Sequence, residues 1–380
     1  MKILHFSDIH IGMENYGKLD PQTGLSSRLL DFFQTFDFIV ETAIKEQVDA
    51  VLFAGDAYKT RDPNPTQQRG FGERIRKIAK KIPVILVVGN HDTSNAEGKA
   101  NTLDIYSALE IDNVYVSRKI EYLKIPTKSG ALQVITLPWL HKNDYKTAGE
   151  KLKLLYEKID LSSPAIFLSH CEIEGASFGS EKGMAIANDV TIPLPLLQDK
   201  RLSYVALGHL HKHQVLSKDP LIVYSGSPQR IDFGEEKEEK GIILVEIGSI
   251  ANFRFIPTNA RKFLTITVNL KSSDQNPTQT IVNEILKNDI TEAVVRLIIN
   301  IPSDLEENLE MAVIKKSLVG AHYIAGISKN INKTKRIILE MQGVESLKPY
   351  EALKKYFQAK NFSNKKIHEL ENYAQNLLQE

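Results

Sequence analysis

Five short apolar runs end in the same manner, and that repetition restricts the folds open to this chain more than any other feature. The runs are Ile3–Phe6, Ala50–Ala54, Val84–Val88, Ala165–Leu168 and Tyr204–Leu207. They close in Ser7-Asp8-Ile9-His10, Gly55-Asp56, Gly89-Asn90-His91-Asp92, Ser169-His170 and Gly208-His209-Leu210-His211. Apolar runs of this length, bounded by glycine and polar residues, read as buried strands. After the first run, Leu30, Phe33, Phe36, Val40, Ala43 and Ile44 recur at helical spacing, predicting a helix to Glu46. Arg61–Gln68, with Pro63 and Pro65, reads as a loop, and Phe71–Lys81 as a basic helix. Strands alternating with helices point to an α/β fold with parallel pairs, and the strand-rich stretch after Glu110 to a second sheet packed on the first. Ligands in such sheets gather beyond the carboxyl ends of the strands, where all five polar endings fall.

Those endings supply Asp8, His10, Asp56, Asn90, His91, His170, His209 and His211, a mixed set of carboxylate, amide and imidazole donors. A closed structural zinc site favours cysteine, and the chain has only Cys171. Mixed oxygen and nitrogen donors suit manganese or iron, manganese the better. There are enough donors for two ions, with a carboxylate such as Asp56 bridging them. Two ions about 3.5–4 Å apart can activate a water and hold the oxygens of an in-line displacement at phosphorus. Taken singly, Asp8 reads as a turn former, Gly89-Asn90 as a turn and His170 as a hydrogen-bonded core histidine. Five concerted endings are not explained by turns. His209 and His211 would face one side of an extended segment unless a turn intervenes. His5, His141, His213, His322 and His368 fall outside the pattern and take structural or surface roles, and the charge run Glu235–Lys240 reads as a solvated loop.

The net charge of +1 offers no global basic field, so any nucleic-acid contact must come from a local patch or a partner. A single cysteine excludes an internal disulfide framework and suits a reducing compartment. No apolar stretch approaches the roughly 20 residues that span a bilayer. Met1 leads straight into a strand-like run with no room for a signal peptide, so a cytoplasmic protein without membrane attachment is expected. The length of 380 residues suggests one large domain with smaller ones, and a boundary falls near Pro257–Lys262. We expect a domain over residues 1–258 and a small α+β domain over 259–343. The latter would include a helix capped by Ser303 or Asp304 and running to Leu318, and a strand at Arg336–Met341. Residues 344–380 read as a helix pair whose second member carries the apolar stripe Ile367, Leu370, Tyr373 and Leu377, a face wanting a partner.

The motifs D-I-H (Asp8–His10), G-D (Gly55–Asp56), G-N-H-D (Gly89–Asp92), S-H (Ser169–His170) and G-H-L-H (Gly208–His211) resemble the complete signature of the calcineurin-like metallophosphoesterase family. Glu174–Glu181 and Tyr224–Arg230 are similar to its double-strand-break-repair nucleases. The resemblance implies a four-layer α/β/β/α sandwich, two packed sheets flanked by helices, with a small α+β capping domain and a C-terminal helix pair. It implies two manganese ions, with magnesium or iron as substitutes. One would take Asp8, His10, Asp56 and His211, and the other Asp56, Asn90, His170 and His209. His91 would give a proton to the leaving alkoxide, and Asp92 would orient His91. DNA would be the substrate, cut by 3′–5′ exonuclease and endonuclease action at duplex ends or hairpins. The implied partners are a second copy of the chain and an SMC-like ATPase of the SbcC type. Phosphate contacts are expected from Lys59, Arg61, Arg69 and Arg230. Some relatives carry a histidine shortly after G-D, where this chain has Ala57-Tyr58-Lys59. Two other readings compete. A phosphatase or phosphodiesterase for a small phosphoester would not need the chain beyond residue 258, and a non-catalytic scaffold would have little reason to keep every donor and His91.

Overall fold

The computed structural model describes residues 1–94, 99–140, 144–179 and 190–332, together with Leu353, Phe357, Ile367, His368, Leu370 and Ala374. In chain order the first sheet and its helices are β1 (Lys2–Phe6), α1 (Ser27–Lys45), β2 (Ala50–Phe53), α2 (Pro65–Ala79), β3 (Val84–Val87), α3 (Asp104–Ala108) and β4 (Val114–Ser117). The second sheet begins with β5 (Glu121–Thr127) and β6 (Gly130–Leu137), followed by α4 (Ala148–Tyr156) and β7 (Ala165–His170). A short pair, β8 (Glu172–Ile173) and β9 (Thr191–Ile192), precedes β10 (Tyr204–Gly208), β11 (Gln214–Lys218) and β12 (Leu221–Tyr224). The chain then returns to the first sheet with β13 (Gly241–Ile247) and β14 (Ala251–Pro257).

Each sheet has six strands, ordered β14-β13-β1-β2-β3-β4 and β11-β12-β10-β7-β6-β5. β1 to β4 run parallel, as do β12, β10, β7 and β6; β13 pairs antiparallel with both β1 and β14, and β11 and β5 are antiparallel edge strands. Register keeps the carboxyl ends level: Phe6 pairs with Phe53, and Gly208 with His170. Side-chain alternation sorts the strand residues into three cores. Ile3, Leu52 and Val87 meet Val134, Leu168 and Ala206 between the sheets. Leu4, Phe53 and Leu86 meet Phe32, Phe36 and Phe71 of α1 and α2. Phe167, Val205 and Leu207 meet Leu152 and Tyr156 of α4. Helix, sheet, sheet and helix form the four-layer α/β/β/α sandwich. Burial on both faces is why the central strands are continuously apolar.

α2 begins at Pro65 rather than Phe71. Asn64 caps it, accepting from Gln67 N (3.0 Å) while Gln67 Oε1 accepts from Asn64 N (3.1 Å). Pro65 occupies the first helical turn, where a missing N–H costs no hydrogen bond.

The chain divides into two compact units, one of Met1–Ile266, Lys287–Leu297 and Ser317–Ile327, the other of Thr267–Leu286, Ile298–Lys316 and the chain from Ser328. No single cut near residue 258 separates them. Arg261 pairs with Asp31 (2.6 Å) and Glu292 (3.1 Å), and Arg296 lies 4.3 Å over the Phe233 ring, which ties the later segments into the first unit. The remaining elements are β15 (Phe263–Asn269), α5 (Pro277–Leu286), β16 (Val294–Pro302), α6 (Met311–Ser317) and β17 (Tyr323–Asn332), with sheet order β15-β16-β17. The helix expected from Ser303 is only α6. Asp304 accepts a hydrogen bond from Ser272 Oγ (3.4 Å) instead of capping, and a 3-10 turn at Glu306–Asn308 intervenes. The expected strand Arg336–Met341 and His141 lie outside the described residues, as does the helix pair over 344–380 apart from six isolated positions. Among the described residues, no helix is long and apolar enough to cross a membrane.

Candidate metal centre

Because β1 and β2 are parallel and level, the chains leaving them stay paired. Asp8 N donates to Gly55 O (2.9 Å), His10 N to Asp56 O (3.2 Å) and Ile11 N to Ala57 O (3.0 Å). Turning out of the sheet while staying paired forces unusual backbone. Asp8 (φ 52°), His10 (44°), Asp56 (61°) and His209 (98°) all have positive φ. Such values are uncommon outside glycine and cluster at functional sites. Across the sandwich, a Cβ on Gly208 would lie 2.0 Å from Ala54 O, so the two sheets touch at this end.

That contact brings the five strand ends together. The donor atoms of Asp8, His10 and His211 lie within 4.8 Å of one another, as do those of His10, Asp56 and His91, and those of Asp8, Asp56 and His170. His10 Nε2 and His211 Nε2 are 3.0 Å apart, facing one point. On the other side His170 Nε2 lies 2.8 Å and His209 Nδ1 3.3 Å from Asn90 Oδ1. Asp56 Oδ2 sits between the groups, 3.6 Å from His10 Nε2 and 3.5 Å from His170 Nε2. β10 turns at His209, so the two histidines of G-H-L-H part: His211 joins His10, and His209 joins His170 and Asn90.

Burial raises the Asp8 carboxyl above the ordinary range. Burial opposes ionisation of Asp56 too, but His170 and His91 beside it hold it well below that range. Burial would depress His170, yet Asp56 and then Asp8 carry it up to about 9. Burial pushes His10 well down and His209 to about 3. Buried carboxylate, amide and imidazole donors that converge from five strand ends form a donor set that fits two divalent ions.

Residues 1–213 match the calcineurin-like phosphoesterases. The chain belongs to that family. It is a phosphoester-hydrolysing metalloenzyme. It is 28% identical over 286 residues to the SbcD component of the nuclease SbcCD from Staphylococcus epidermidis, covering 70% of this chain and 72% of that protein. It is 28% identical over 278 residues to the DNA double-strand break repair protein Mre11 of Sulfurisphaera tokodaii, covering 70% and 65%. A dimetal phosphatase from Danio rerio superposes with a TM-score of 0.43 at 10% identity, covering 68% of this chain and 96% of that one.

Around the donors of this phosphoesterase a further layer holds them in place. His170 Nδ1 bonds Ala54 O (2.7 Å), and Asp8 accepts from Ser7 Oγ and from His209 N (3.1 Å). Asp92 is turned to the backbone and not to the His91 ring. Its Oδ2 accepts from Asp56 N and Gly89 N and its Oδ1 from Ala57 N, all at 2.9 Å, so it points beneath the loops and pins them together. His91 is oriented by the Lys59 carbonyl, 2.7 Å from Nδ1. Arg230 is committed elsewhere: its guanidinium donates to the carbonyls of Glu238 (2.7 Å), Ala260 (3.2 Å) and Arg261 (3.3 Å). Arg61 Nε donates to Thr93 O (2.6 Å), and Arg69 lies exposed on α2 beside Glu73.

The run Glu235–Lys240 is not a solvated loop. Glu235 and Lys240 are 0% and 2% exposed and form an ion pair at 2.8 Å. Glu235 Oε1 lies 2.7 Å from His211 Nδ1. Burial would raise the Glu235 carboxyl, but the His211 hydrogen bond and Lys240 hold it at about 2. In the sequence nothing distinguishes these two from the exposed charges around them except their place directly after Tyr224–Arg230. His5 (to Tyr204 Oη, 2.8 Å), His213 (to Tyr224 O, 2.8 Å) and His322 (to Ser27 Oγ, 2.9 Å) serve the framework.

Proposed function

We propose that this chain is a manganese-dependent DNA nuclease, the phosphodiesterase component of an SbcCD-like repair complex. The observation that carries the metal reading is Asp56 Oδ2, nearly equidistant from His10 and His170, where a bridging carboxylate belongs. Asp8, His10 and His211 would complete one cation site, and Asn90, His170 and His209 the other. The oxygen and nitrogen donors favour manganese, or iron, over magnesium. When bound, such a pair of cations supplies charge that activates water and stabilises the oxygens around phosphorus. His91 serves as the proton donor to the leaving alkoxide. The Lys59 carbonyl accepts its Nδ1–H, which turns Nε2 the other way as the atom that would pass the proton. Asp92 acts through the backbone by fixing Asp56, Ala57 and Gly89.

The choice of DNA rests on likeness to a nuclease subunit and a DNA double-strand break repair protein, and on the length of chain beyond residue 258. We assign the capping of DNA to segments within residues 259–343, some of which belong to the first unit, and the docking of an SbcC-type ATPase to 344–380, with the active assembly a homodimer. Lys59, Arg61 and Arg69 remain for phosphate contacts, and Arg230 is withdrawn. The test is incubation of the purified chain with linear duplex and hairpin DNA and manganese, with and without the ATPase. Release of nucleotides or nicked hairpins is expected. No cleavage under either condition, with nucleotides or other small phosphoesters turned over instead, would replace this reading with that of a small-substrate phosphodiesterase.

A further inference from the structure

We propose that Glu235 is a positioning residue of the metal centre, holding His211 with Nε2 toward the other donors, and that Lys240 fixes Glu235 in turn. This rests on the reading of the seven donors as a metal centre. The two nitrogens of His211 face opposite ways: Nδ1 is 2.7 Å from Glu235 Oε1, and Nε2 is 3.0 Å from His10 Nε2. Glu235 Oε2 accepts from Ile231 N (2.9 Å) and Ser227 Oγ (3.4 Å) and is ion-paired with Lys240 Nζ (2.8 Å), while Oε1 meets the imidazole. Lys240 also grips His211 by its backbone, donating to His211 O at 3.1 Å, and it donates to Ser227 Oγ (3.0 Å) and Glu238 Oε2 (2.8 Å). One ammonium thus holds His211 twice, directly and through Glu235.

A buried ammonium close to a cation site would repel the cations if it stood alone. Here it faces two carboxylates, Glu235 and Glu238, so the cluster favours positive charge nearby. His211 needs such a hold because it lies beyond the turn that ends β10. His170, by contrast, is at the end of β7 and is held by the Ala54 carbonyl. A carboxylate on the far nitrogen of a ligating histidine fixes both tautomer and ring orientation.

The experiment titrates manganese calorimetrically into the metal-free full-length protein and into E235A and E235Q. The wild type is expected to take two ions. E235A should weaken one of them by about 10–100-fold and leave the other unchanged. E235Q should fall between, because an amide oxygen still accepts from Nδ1–H while Lys240 loses its counter-charge. In an H211A background E235A should cause no further loss. The wild type itself provides a reading independent of any variant: ¹⁵N shifts of metal-free His211 should show Nδ1 protonated and Nε2 bare. Wild-type affinities in E235A, an undiminished loss in the H211A background, or a His211 protonated at Nε2 alone would each overturn the inference. A wild type that binds no manganese would instead remove the metal centre on which it stands.

Discussion

Replacing Gly208 with alanine tests whether the two sheets meet at the metal centre as closely as the geometry requires. The new Cβ would lie 2.0 Å from Ala54 O, 2.8 Å from Ser7 Cβ and 3.0 Å from Ala54 C, where ordinary contact begins at 3.4 Å. Two of these atoms are backbone and none is the end of a flexible side chain. Ala54 cannot retreat freely, because its N–H donates to Phe6 O (3.0 Å) and its carbonyl accepts from His170 Nδ1 (2.7 Å). Overpacking of this kind costs about 1–3 kcal/mol. A loosened His170 hydrogen bond adds about 1 kcal/mol. At an unfolding entropy of roughly 2 cal/mol/K per residue over the first unit, the sum of about 2–4 kcal/mol lowers the melting temperature by roughly 3–7 °C. Scanning calorimetry in EDTA reads that shift, and manganese titration reads a matching loss of affinity, since moving Ala54 moves His170 and Asp56. Gly149→Ala on α4 is the control: the nearest heavy atom to its new Cβ is Leu196 Cδ1 at 3.8 Å, and no loss is expected. A G208A protein that melts with the wild type and binds manganese as tightly would refute the close approach of the sheets.

His91→Ser should lower turnover by about 10²–10⁴-fold while leaving the number of bound manganese ions unchanged, as kinetics and calorimetry together would read. Asp92→Ala strands three buried backbone N–H groups at about 1–3 kcal/mol each, so urea denaturation in EDTA should show a far larger loss of stability than for H91S. Similar stability in the two variants would return Asp92 to the role of orienting His91. His170 is raised from 6.5 to about 9 in the metal-free fold, so its stabilising contribution is complete below pH 6.5 and is lost as pH rises through 9. Manganese needs the neutral ring, so binding near neutral pH should release a proton. Calorimetry in buffers of different ionisation enthalpy detects it, and no release would contradict the His170–Asp56 pairing.

The strand ends were legible in the sequence because burial on both faces makes β2, β3 and β10 continuously apolar, and β1 and β7 largely so apart from His5 and the polar end of β7, and each run is then followed by a donor. The start of α2 was not, since Pro63 and Pro65 read as loop signals until the Asn64–Gln67 cap is seen. β5 gave no strand signal: it is a half-exposed edge strand carrying Pro126. The division of labour between His209 and His211 depends on a backbone turn that period-two alternation cannot register. Glu235 and Lys240 were hidden because a charge run looks the same whether or not two of its members fold inward; only the tertiary position of His211 separates them. Asp92 and Arg230 show the converse, polar side chains near the motifs that spend their hydrogen bonds on the backbone.

Alanine is a poor probe at Asp8, His10, Asp56 and His209. The left-handed region costs ordinary L residues roughly 1–2 kcal/mol, and asparagine visits it more readily than alanine. An alanine scan there would merge two separate losses, that of the coordinating atom and that of the tolerated turn. Asparagine keeps the turn and changes the donor; glycine keeps the turn and deletes it. Comparing those two replacements at each position isolates the chemistry of the side chain from the shape of the loop that carries it.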